Sequence, residues 1–193
     1  NIKKNKFNNL LFFSNIRPEK GIFEFLELAR YISNLNINVT FTIAGPVKDK
    51  IVEGQILNYI SKYKISNISI LGPMYDKFGK ENLFSNSGVL IFPSHAEALP
   101  LVIIEAFSAG LPVIASSVGC IPEMITNGYN GYVYNDFNVE TILSYVQFIF
   151  SDDEAYLKFS SNCKAKYHDK YARDIYRNKL SKILEHVMKS NHS

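Results

Sequence analysis

The sequence predicts an α/β fold: a Rossmann-like, doubly wound parallel sheet of about six strands, with helices on both faces and a helical C-terminal tail. Three observations lead there. Short apolar runs alternate with longer stretches of helical periodicity. Several runs stop at turn signals, Gly45-Pro46, Gly72-Pro73 and Pro93-Ser94. The runs are continuously apolar rather than alternating, as in strands buried on both faces.

The elements follow in order. Asn9–Asn15 (NLLFFSN) is a short apolar run closed by polar turn residues, hence a strand. Lys20–Leu35 carries Ile22, Phe25, Leu26 and Ala29 at the spacing of an amphipathic helix. Val39–Pro46 is β-branched and reads as a strand, Asp49–Lys62 as a helix, Ile68–Pro73 as a strand and Lys77–Phe84 as a helix. Gly88–Ser94 is the next strand. Leu101–Ala109 is a helix closed by Gly110, Leu111–Ser116 a strand, and Gly131–Tyr134 a last short one. Helices then fill the chain from Val139 to about Lys189. The polar opening, residues 1–8, reads as a linker remnant of a longer protein, and residues 9–193 as one domain.

Composition narrows the class. The 193 residues are 47% hydrophobic and 20% charged, as in an ordinary globular domain. A net charge of +3 is too mild to indicate nucleic acid, and no basic stripe interleaves with aromatics. Cys120 and Cys163 lie far apart without metal-ligand spacing, which reads as free thiols in a reducing cytoplasm. The apolar run Leu99–Ala115 is too short to span a bilayer and is broken by Pro100, Gly110 and Pro112. The basic tail from Lys164 to Lys189 reads as a solvated helix face in preference to a membrane contact.

Chemistry is expected where the strands end, because a doubly wound sheet binds ligands outside its carboxyl edge. Glu97 lies just past the strand ending at Ser94. Leu101 and Val102 open a helix whose free N–H groups point to the same edge and suit phosphate. Glu105, one turn into that helix, is the single charge in Leu99–Ala115. In a buried helix such a carboxylate needs donors. Ribose hydroxyls would supply them, and so would a protein lysine or a backbone N–H; the residues alone leave both open. His95, between Ser94 and Glu97, reads as an edge residue rather than a base. Ser116, Ser117, Gly119 and Gly128 read as turn residues, and Phe12, Phe13, Phe92 and Phe107 as core.

The stretch EALPLVIIEAFSAGLPVIASSVGCIPEMITNGYNGYVY, with PEKG at Pro18–Gly21 and the strand ends AGP, LGP and PS, resembles the signature of the group 1 glycosyltransferases. That family carries two glutamates separated by seven residues, matched by Glu97 and Glu105. The resemblance implies the C-terminal, donor-binding half of a retaining enzyme of GT-B architecture, the acceptor domain being absent. It implies transfer of a sugar from a nucleotide diphosphate sugar to a glycan or lipid-linked acceptor, with this fragment inactive alone. Glu97 and Lys20 would be the catalytic pair, Glu97 on donor-sugar hydroxyls and Lys20 on the diphosphate. Backbone N–H groups near Pro100, Leu101 and Val102 would cradle the diphosphate, and Glu105 would hold the ribose. The family often has Gly-Arg where this chain has Ser14-Asn15, so Asn15 offers only a hydrogen bond, with Arg17 two residues on as a replacement cation. No cofactor and no metal are expected. The expected setting is polysaccharide or glycolipid synthesis in the cytoplasm, at the inner face of the membrane. A nucleotide-sugar epimerase of related architecture and a non-catalytic nucleotide-binding module are the alternatives.

Overall fold

The computed structural model describes residues 8–175 together with 177, 181 and 183. The linker expected over residues 1–8 falls outside these except for Asn8, as does most of the tail expected beyond residue 175. Six strands, β1 (Asn9–Phe13), β2 (Thr40–Ala44), β3 (Ile68–Gly72), β4 (Val89–Phe92), β5 (Val113–Ser116) and β6 (Gly131–Tyr134), form one sheet. Their order is β3-β2-β1-β4-β5-β6, and every pairing is parallel. The helices are α1 (Ile22–Asn34), α2 (Lys50–Lys62), α3 (Lys77–Ser85), α4 (Leu101–Ala109), α5 (Ile121–Met124), α6 (Val139–Ile149) and α7 (Asp153–Lys170). The chain leaves β1 towards β2 and β3, then returns to the other side of β1 with β4. The gap between the loops after β1 and β4 is therefore the topological switch point, where such sheets bind ligands.

Side chains alternate across the strands and divide the core in two. Leu10 and Phe12 of β1 face a cluster built with Phe25 and Leu28 of α1 and Ile142 and Val146 of α6. Leu11 faces the other, with Ile103 and Phe107 of α4 and Cys163 of α7. Phe12, Phe92 and Phe107 are buried as expected, and Phe13 is half-buried. Both cysteines are free, and burial pushes the Cys163 thiol up, away from the reactive thiolate.

Two expectations are corrected. The helix expected from Lys20 is broken: Pro18–Lys20 is a separate 3-10 turn, and Gly21, left-handed at φ 79°, starts α1 behind it. The strands are not all buried on both faces, because β3 is an edge strand with Ile70 and Leu71 exposed at 41% and 49%. The helices expected from Val139 onward begin with α6 and α7, divided at residues 150–152, where Asp152 caps α7 by accepting from the Ala155 N–H. The short helix α5 was not foreseen, since four residues are too few to carry a period.

Candidate functional site

Three loops meet at the carboxyl edge of the sheet: those after β1, β4 and β5. Main-chain contacts fix them to one another. The His95 N–H donates to the Glu19 carbonyl at 3.0 Å, joining the β4 loop to the β1 loop. The Cys120 N–H donates to the Ala98 carbonyl at 3.2 Å, joining the β5 loop to the β4 loop. The backbones approach so closely that two glycines are required. A Cβ on Gly21 would stand 2.0 Å from the Pro93 carbonyl oxygen, and one on Gly119 would stand 1.9 Å from that of Glu97. Both glycines also have positive φ. Gly119 thus serves backbone packing, as the turn reading expected. Ser116 is buried and donates to the Ser94 carbonyl, so its hydroxyl is already engaged.

This frame brings Lys20 and Glu97 together. Lys20 Nζ lies 2.7 Å from Glu97 Oε1, and the side chains are 18% and 11% exposed. Glu97 lies in the loop that leads into α4, where Pro100 is the N-cap and no side chain caps the helix. The first N–H groups of α4 therefore keep the partial positive charge of a helix start. Leu101 is 66% exposed here, and Val102 is half-buried.

Glu105 sits otherwise than expected. Its helix is buried along Ile103, Ala106 and Phe107, but Glu105 itself is 39% exposed and pairs with Lys80 Nζ of α3 at 2.9 Å. The protein lysine left open by the sequence is thus present. The pair lies on the wall of an open groove of about 710 Å³, also lined by Tyr75, Lys77, Phe78 and Lys164. Lys80 was missed because nothing in its sequence neighbourhood marks it. Only the packing of α3 on α4 brings it to Glu105.

The remaining residues lie at the rim. Asn15 is exposed, two residues past the end of β1. Arg17 is half-exposed and reaches Glu19 at 3.5 Å, without meeting Glu97 or Glu105. His95 Nε2 lies 2.6 Å from Glu24 Oε1, an edge contact as expected. Among the described residues, no three His, Cys, Asp or Glu side chains gather as metal ligands, and no helix is long and apolar enough to cross a membrane.

The family model described as glycosyl transferases group 1 matches residues 1–166. The sulfoquinovosyl transferase SQD2 of Arabidopsis thaliana is 29% identical over 153 residues, 73% of this chain and 29% of its own length. The UDP-Gal:alpha-D-GlcNAc-diphosphoundecaprenol alpha-1,3-galactosyltransferase of Escherichia coli is 28% identical over 155 residues, 77% of this chain and 38% of its own. The chain thus spans well under half the length of these relatives. Anabaena HepE, solved in complex with UDP and glucose, superposes with a TM-score of 0.82 at 18% identity, covering 93% of this chain and 48% of that one. The C-terminal domain of the group 1 family protein LpcC of Francisella tularensis gives 0.75 at 23% identity, covering 86% of each chain. At these identities the structural likeness establishes the fold.

Proposed function

Because the chain belongs to the group 1 glycosyl transferases, we propose that its sheet edge is the donor site of a retaining enzyme that moves a sugar from a nucleotide diphosphate sugar to a glycan or lipid-linked acceptor. The observation that carries the reading is the meeting of Lys20 and Glu97. They lie 77 positions apart in sequence and 2.7 Å apart in space, on the two loops of the switch point, the second of which leads into the uncapped start of α4. Charge growing on a leaving diphosphate needs cationic and dipolar stabilisation, which Lys20 and the N–H groups near Pro100, Leu101 and Val102 supply without a metal. Glu97 then accepts from hydroxyls of the donor sugar, and Glu105 from those of the ribose. Asn15 and Arg17 stand at the rim, where Asn15 adds a hydrogen bond and Arg17 adds charge on leaving Glu19.

Two relatives support the choice of ligand. The Escherichia coli protein is named for a UDP-galactose donor, and Anabaena HepE was solved with UDP and glucose. In this reading the acceptor is held by a facing domain, on the part of the relatives' length that this chain does not span, and the full enzyme works at the cytoplasmic face of a membrane. Front-face attack, with the leaving diphosphate taking the acceptor proton, accounts for retention.

The test is to melt the chain with UDP, GDP and ADP and to assay the same sample for transfer from UDP-glucose, UDP-galactose and GDP-mannose to a mixture of acceptors. A nucleotide at ~100 times its dissociation constant adds roughly 2.7 kcal/mol of stability. Binding without transfer is expected. Stability unchanged by all three nucleotides would refute the donor site, and efficient transfer by this chain alone would refute the division of labour.

A further inference from the structure

We propose that the Lys20–Glu97 ion pair is a selectivity device: Glu97 disfavours the bare nucleoside diphosphate and so promotes its departure after transfer. The inference rests on the donor-site reading above and goes beyond it. Lys20 is not free to meet an anion, since its ammonium is already held at 2.7 Å by a carboxylate that is only 11% exposed. The loops that carry the pair are packed backbone to backbone. Gly21 follows Lys20 and is pressed on Pro93, while the Glu97 carbonyl is pressed on Gly119. The His95 to Glu19 and Cys120 to Ala98 hydrogen bonds fasten the same loops.

A diphosphate that reaches Lys20 therefore sets its negative charge beside the Glu97 carboxylate. With water largely excluded, like charges at such range repel strongly. A donor that still carries its sugar brings hydroxyl groups, which donate to Glu97 as the lysine turns to phosphate. Both charges then remain partnered. Once the sugar has gone, the hydroxyl donors go with it, and the carboxylate again competes with phosphate for Lys20. One side chain thus rewards the substrate and penalises the product.

The experiment is calorimetry on the whole chain with UDP, GDP and ADP. The nucleotide that binds most tightly is then repeated as its glucose, galactose or mannose ester. Glu97→Gln keeps the shape and removes the charge, Glu97→Ala is carried in parallel in case one variant fails to fold, and Lys20→Met marks the site. The expected result is roughly tenfold tighter binding of the bare diphosphate to Glu97→Gln than to the natural chain, the order of effect of relieving one close like-charge contact. Preference for the sugar ester over the bare diphosphate falls in the same variant, and Lys20→Met binds both ligands at least about tenfold more weakly. Equal or weaker binding of the diphosphate by both Glu97 variants, with the Lys20→Met loss intact, overturns the selectivity device and leaves the donor site standing. No binding by the natural chain, or no loss in Lys20→Met, overturns the donor site and the device together.

Discussion

Gly21→Ala tests how the site is held. The new Cβ would stand 2.0 Å from the Pro93 carbonyl oxygen and 2.6 Å from its carbon, both main-chain atoms with no rotamer to yield. The β1 and β4 loops would have to part by about 1.5 Å to restore ordinary contact. The backbone at Gly21, φ 79° and ψ 28°, is left-handed, which costs an L-residue about 1–2 kcal/mol. Overpacking adds typically 1–3 kcal/mol, so the expected loss is about 2–5 kcal/mol. For a domain of this size each kcal/mol lowers Tm by roughly 2–4 °C, which places the fall between about 4 and 20 °C. Gly54→Ala is the control: it lies inside α2 with nothing within 4 Å of its Cβ. Alanine favours a helix interior by about 0.8–1.0 kcal/mol over glycine, so this variant melts higher. Differential scanning fluorimetry reads both. A Gly21→Ala protein that melts with the natural chain would refute the claim that this contact sets the loops.

Two further outcomes concern the ligand. Glu105→Gln should lower nucleotide affinity by about 1.5–3 kcal/mol, the worth of a hydrogen bond to a charged acceptor; calorimetry that finds the affinity unchanged in a folded variant removes the ribose role. Nucleotide binding should survive excess chelator, because Lys20 and the start of α4 supply the positive charge, and loss under chelator with recovery on adding magnesium would reverse that expectation.

The alternation of strand and helix was legible because each buried run is bounded by a turn signal, as at Ala44-Gly45-Pro46 and Phe92-Pro93-Ser94. Glu97 was legible as a candidate because it follows a strand end, and Lys20 through the PEKG stretch of the family resemblance. Their 2.7 Å contact was not, because it depends on main-chain approaches at Gly21 and Gly119 that no local pattern records. The exposure of Glu105 was misread for a different reason. Its sequence neighbours are apolar, yet Leu101 turns outward at the ligand edge while Ile103 and Phe107 turn inward. An apolar run therefore overstated the burial of the one charge within it. The pairing with Lys80 needed the placement of α3, which is a tertiary fact.

The exposed margin of the sheet has a consequence for handling the protein. β3 pairs with β2 on one side only, leaving the N–H and C=O groups of its other side unpaired within the sheet, while Ile70 and Leu71 stand open to solvent. An apolar edge of this kind is a template for strand addition by another molecule. β3 itself, Ile-Ser-Ile-Leu-Gly, carries no charge or proline to interrupt such growth. Concentrated solutions should therefore lose monomer through this margin, and a lysine in place of Leu71 is the change that would keep them clear.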